Sequence, residues 1–253
     1  MSRRCRIALC ALAFACAEED SERGPVRVFV AASAAAATRE ALEICGGPHP
    51  MAVVVEAASS ALARQIAQGA PAQLFLAANP RWMDHLETTG FLVPHSRVDL
   101  LGNRLVVVAP RDAGTMLDPD SADAWAAELG EGRLALGDPT HVPAGMYAEE
   151  ALRSLGVWAA LEDRLAPAAD ARAALALVER GEVALGVVYA SDAAGSERVD
   201  VVAVLAEHLH PTIRYPLAIM AGHGEGQGTR DLWTCLQSPA VLGVFEHRGF
   251  RRP

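Results

Sequence analysis

The chain has little of what several common functions need. Past its first residues it holds no run rich in lysine or arginine, its net charge is -9 and its pI is near 5.4. That balance argues against nucleic acid as a partner. The one long apolar stretch near the N-terminus runs to about ten residues, half of what a bilayer-spanning helix requires. No G-x-S-x-G elbow, Walker loop, H-E-x-x-H or C-x-x-C occurs, so the usual hydrolase, nucleotide, zinc-protease and dithiol signatures are missing. Cysteine is scarce: three of the five, Cys5, Cys10 and Cys16, fall in the first 16 residues. Cys45 and Cys235 remain, too few for a disulfide framework. Their separation leaves open whether they bond to each other or pack as small buried thiols, and the packing habit of free cysteine favours thiols.

What is present is a globular composition, 51% apolar and 21% charged, long enough for one large domain or two lobes. The opening MSRRCRIALCALAFACAEED joins a basic head, an apolar stretch and an acidic segment, the layout of an export signal over residues 1–17. Cleavage before Cys16, with lipid attached to that cysteine, is favoured over cleavage after Ala17. Residues 18–25 then form a polar tether.

From Val26 short β-branched runs alternate with helical patterns: VRVFVA, AAAATREALEIC, MAVVVEA, ALARQIAQG, AQLFLAA and RWMDHLETTG. Alternation of this kind predicts βαβ units in a mainly parallel sheet. A second series follows RLVVVAP, with RLALGD, MYAEEALRSLG, DARAALALVERG, VALGVVYA and VDVVAVL, so two α/β lobes are expected. The closing segment, YPLAIM and one helix through TRDLWTCLQSPAVLGVFEHRGF, is too small for a domain and must pack back onto a lobe. The four tryptophans, Trp82, Trp125, Trp158 and Trp233, lie in helical patterns and are read as packing residues.

In open α/β sheets, ligands sit beyond the carboxyl ends of strands, where helix N-termini turn free N–H groups outward. Several such ends here carry hydroxyls or bare amides. Ser33 follows VRVFVAA, Ser59 and Ser60 follow VVVEAA, Ala144 and Gly145 open a third helix, Ala171 a fourth, and Tyr189 ends GVVYA. Neutral donors without lysine or arginine suit a small oxyanion. The plainer reading of each serine is an N-cap, and of Asp138 and Asp170 also caps. His208 and His210 lack a third ligand at useful spacing, so no metal ligation is expected.

The segments ASSALARQIAQGAPA, LLGNRLVVVAP, LALGDPTHVPAGMYAEEALRSLG, ALALVERGEVALGVVYASDA and SPAVLGVFEHRGF resemble those of the periplasmic molybdate-binding proteins of ABC transporters, from about Val26 to Phe250. The resemblance implies the type II periplasmic-binding-protein fold: two α/β lobes joined by two crossing strands, with the ligand in the cleft. It places one lobe at 26–102 and 212–253 and the other at 103–211. It implies high-affinity binding of molybdate or tungstate, with Ser33 and Ser59 from the first lobe and the amides of Ala144 and Ala171 and the Tyr189 hydroxyl from the second. The partners it implies are the oxyanion and the membrane subunits of an ABC permease, for a monomer outside the cytoplasm that needs no cofactor and performs no catalysis. A membrane contact is expected only through a lipid on Cys16.

This chain departs from the family in having alanines at 34–37 after Ser33, Ala171 where valine is common, and Gln73 and Asn79 where the family has aspartates. Two rivals stand beside this reading. One is a protein of the same fold for another small anion, such as sulfate, thiosulfate or a carboxylate. The other is a hydrolase with Ser59 as nucleophile, which would need a base that only His141 is near enough in pattern to supply.

Overall fold

A computed structural model describes residues 24–46, 52–114 and 116–253. The signal, Cys16 and most of the tether expected from the sequence lie outside the described residues.

The first part of the chain runs β1 (Val26–Ala31), α1 (Ala32–Cys45), β2 (Ala52–Ala57), α2 (Ser59–Ala67), β3 (Leu74–Leu76), α3 (Pro80–Thr88) and β4 (Val98–Gly102). The middle part runs β5 (Leu105–Pro110), α4 (Ala122–Leu129), β6 (Leu134–Gly137), α5 (Pro143–Ser154), α6 (Trp158–Leu161), β7 (Leu165–Ala168), α7 (Ala171–Glu179), β8 (Leu185–Tyr189), α8 (Ala190–Ala194) and β9 (Val199–Val204). The chain closes with β10 (Arg214–Ile219), α9 (Gln227–Leu236) and α10 (Pro239–His247). These strands form two five-stranded sheets, ordered β2-β1-β3-β10-β4 and β7-β6-β8-β5-β9. The chain passes from one sheet to the other between Gly102 and Leu105 and returns between Val204 and Arg214, which makes two lobes joined by two crossings.

Both sheets are mixed. Strand β10 runs antiparallel to β3 and β4, and β5 antiparallel to β8 and β9, while β1, β2, β3 and β6, β7, β8 pair in parallel. Strand β1 shows why an apolar run predicts a central strand: only Arg27 of its six residues is exposed, because helices cover both faces. Helix α1 lies close on the first sheet through a stripe of small side chains, Ala34, Ala37, Thr38 and Ala41. Gly69, at φ +91°, ends α2 in the left-handed conformation that glycine adopts without a Cβ penalty.

The C-terminal segment is two helices rather than the single one expected. Pro239 cannot donate to the preceding turn, and Ser238 holds extended backbone at φ -69°, ψ 149°. Beyond α10, Phe250 packs edge-on against Tyr215 and Phe245, and Arg251 pairs with Gly102 through two backbone hydrogen bonds. The tail is thereby fixed to the first crossing. Cys45 and Cys235 are bonded to each other, with Cα atoms 5.9 Å apart, tying α1 to α9. The expectation of separate thiols fails because α9, 190 residues later in the chain, returns to pack on α1.

Candidate functional site

One small cavity lies between the lobes, and it is lined by Ser33, Ser59, Ala144, Ala171 and Tyr189 together. The cavity is small, so any solute held there is compact. Helices α1, α2, α5 and α7 all begin at this cavity, and their first-turn amides bring partial positive charge to it. No lysine or arginine lines it.

Neither serine is an N-cap. Ser33 is the second residue of α1 and Ser59 the first of α2; Ala31 and Ala58 stand at the cap positions, and neither helix has a side-chain cap. The Ser59 hydroxyl accepts instead from the Ala78 N–H at 2.9 Å, in the loop after β3. The Ser33 hydroxyl is 2.9 Å from the Tyr215 hydroxyl on β10. Ser60 does not line the cavity, and its hydroxyl is buried without a partner.

In the second lobe, Pro143 opens α5 with its preset φ and lacks an N–H, leaving Ala144 as the first residue of that helix with an amide proton. The approach of α5 to β6 depends on Gly145, where a Cβ would come within 1.8 Å of the Gly137 carbonyl oxygen. The two backbones touch there, and the Ala144 amide is set beside the end of β6. Asp170 is the cap foreseen for α7: one of its oxygens accepts from the Ala173 N–H at 2.9 Å, and the residue also borders the cavity. Asp138 is not a cap: it accepts from the amide and hydroxyl of Thr140 at 2.9 and 2.6 Å, and those bonds hold its pKa below the ordinary carboxylate value. Tyr189 ends β8 with its hydroxyl buried, beside the Tyr215 ring but without a hydrogen bond of good geometry; burial first, and the Tyr215 hydroxyl next to it, push its pKa well up, so the proton stays on.

Contacts across the cleft join the lobes. The Trp82 indole N–H of α3 donates to the His141 carbonyl at 3.1 Å, and Asn79 and Arg81 reach the Met146 sulfur at 3.8 Å. Trp82 therefore does more than pack. Asn79 also accepts from the Trp82 N–H at 3.4 Å as the cap of α3, and the Gln73 side chain accepts from the Arg27 N–H at 2.7 Å, so both family departures serve the first lobe's backbone. No histidine lines the cavity, and the His141 ring faces Thr140 at 2.9 Å and Asp138 at 3.6 Å. Among the described residues no group of three His, Cys, Asp or Glu side chains could hold a metal ion.

Sequence reasoning missed a polar layer behind Ser33. Asn103, in the first crossing, is 3.2 Å from the Tyr215 hydroxyl and 2.8 Å from the Ser191 hydroxyl. Its signal was one asparagine between two apolar strands. Asp192, next to Ser191, is also buried; desolvation pushes its carboxyl up to about 7 against the pull of the Arg172 guanidinium 3.8 Å away.

Two lobes on two crossings, closing on a cavity of converging neutral donors, define a solute-binding protein. The match to a known family agrees: residues 26–251 fit the bacterial extracellular solute-binding proteins. The chain is 44% identical over 244 residues to the molybdate-binding protein ModA of Escherichia coli, covering 95% of this chain and 94% of that one. It is 40% identical to ModA of Haemophilus influenzae over 89% of each. The fold is that of the periplasmic molybdate-binding protein of Azotobacter vinelandii, with a TM-score of 0.76 at 18% identity, covering 90% of this chain and 99% of the other. The chain belongs to the bacterial extracellular solute-binding family and, within it, to the molybdate-binding ModA proteins.

Proposed function

We propose that this protein captures molybdate or tungstate outside the cytoplasm and delivers the anion to an ABC permease, as a monomer and without chemistry of its own. The observation that carries this reading is the cavity of neutral donors into which Tyr189 brings a buried hydroxyl without a hydrogen bond of good geometry to the protein. Hydroxyls of Ser33, Ser59 and Tyr189 and amides of Ala144 and Ala171 would hold the anion. A hydrogen bond to a charged acceptor contributes about 1.5–3 kcal/mol, enough in a set of five to offset the loss of hydration. Donors from both lobes favour the closed state, since the anion meets all of them only there. Hydrogen phosphate would bring a proton for which, among the side chains lining the cavity, only Asp170 offers a carboxylate, and one oxygen of that already accepts from the Ala173 N–H. Sulfate, being smaller, would leave some bonds stretched. A lipid on Cys16 would keep the protein at the membrane.

Isothermal titration of the ligand-stripped protein with molybdate, tungstate, sulfate and phosphate tests the reading. Tight one-to-one binding of the first two alone is expected, and Ser59→Ala should weaken it at least tenfold. No heat from molybdate or tungstate, or an unchanged affinity in the variant, defeats it.

A further inference from the structure

We propose that Asn103 and Tyr215 are positioning residues that fix the direction of the Ser33 hydroxyl, so that its single proton faces the cavity. The inference rests on the oxyanion reading above and explains how a serine, able to donate or accept, is held as a donor.

The direction follows from counting protons along the polar layer. The Asn103 side-chain oxygen accepts from the Arg104 N–H at 2.9 Å. A backbone N–H can only donate, so the amide of Asn103 cannot be turned over, and its NH₂ is the edge that faces Tyr215 and Ser191. That NH₂ can only donate as well. The Tyr215 oxygen therefore accepts from Asn103 at 3.2 Å, and its own proton has the Ser33 oxygen within reach at 2.9 Å. Burial pushes the Tyr215 pKa well up, so the phenol keeps that proton. Were the bond reversed, with Ser33 donating, the phenol proton would have only the neighbouring Tyr189 oxygen to turn to, which lies outside good hydrogen-bond geometry, and a well-formed bond would be exchanged for a poor one. Ser33 accepts, and its proton is left for the cavity.

Ser59 is set in the same way by a simpler device. Its oxygen accepts from the Ala78 N–H at 2.9 Å, a group that has no other role, and its proton is likewise free. The two serines of the first lobe are thus both held as donors from behind, one by a backbone amide and one by a side-chain relay. The relay also spans both lobes: Ser33 and Tyr215 belong to the first lobe, Asn103 to a crossing and Ser191 to the second lobe.

The test is a double-mutant cycle read by titration with molybdate on the full exported chain, with thermal melts confirming that each variant folds. Ser33→Ala should weaken binding at least tenfold. Tyr215→Phe, which keeps the ring and removes the hydroxyl, should weaken it about tenfold, and Ser33→Ala with Tyr215→Phe should be no weaker than Ser33→Ala alone. Should Tyr215→Phe fail to fold, Asn103→Ala takes its place in the same cycle, with a loss of about threefold that vanishes when Ser33 is absent. Wild-type affinity in Tyr215→Phe, or losses that multiply in the double variant, would overturn the relay while leaving the cavity reading intact. Unchanged affinity in Ser33→Ala would remove Ser33 from the site, and the relay with it.

Discussion

Tyr189→Phe should weaken the ligand while leaving the empty protein close to wild type in stability, because the lost oxygen faces the cavity. The Tyr189 hydroxyl lines that cavity and makes no hydrogen bond of good geometry to the protein. Without the anion the lobes are free to part and water can reach the oxygen, so its removal from the empty protein should move the melting temperature by less than about 2 °C. The same oxygen would donate to a charged ligand, and losing that bond should raise Kd by about ten- to a hundredfold. Each tenfold loss removes about 1.4 kcal/mol of ligand-linked stability, roughly 3–6 °C for a chain of this size. Differential scanning fluorimetry separates the two: the variant melts with wild type without ligand and below it in excess molybdate. A variant that melts lower without ligand and binds molybdate as wild type does would refute the argument, since the hydroxyl would then serve the fold and not the ligand.

Two further substitutions test the scaffold. Gly145→Ala places a Cβ where only 1.8 Å separates it from the Gly137 carbonyl oxygen, so α5 must shift away from β6; molybdate affinity by titration should fall more than tenfold and the melting temperature should drop. Asp192→Asn addresses pH. With its folded pKa raised to about 7 from 3.8, the group stays protonated in the folded chain while the unfolded chain ionises, so it costs stability as pH rises from about 4 to 7 and the full cost persists above that. The upper bound is roughly 4 kcal/mol, lowered by the loss of the Arg172 contact. Melts of the variant should exceed those of wild type at pH 8 and converge with them near pH 4; a constant offset at all pH values would contradict the assignment.

Much of this was legible in the chain because it depends on local pattern. The central runs VRVFVA, LVVVAP and YPLAIM are apolar enough to be buried strands, and the residues lining the cavity were reached by asking what stands at strand ends. What could not be read depends on distant partners. The serines looked like caps because capping preference is a local rule, yet Ser59 is held from 19 residues away and Ser33 from 182. Strand β7, LAPA, carries a proline and pairs only with β6, an edge placement that no periodicity announces. The break at Pro239 was in plain view, and the apolar pattern on both sides obscured it.

The bond between Cys45 and Cys235 has a topological consequence. Everything from β2 to β10, including the whole second sheet, lies on the 190-residue stretch between the two cysteines. The second lobe is therefore part of a covalent ring whose clasp lies in the first. A protease that cuts any one turn of that lobe would open the ring without releasing a fragment. The nicked protein would remain one molecule until a reductant undid the clasp.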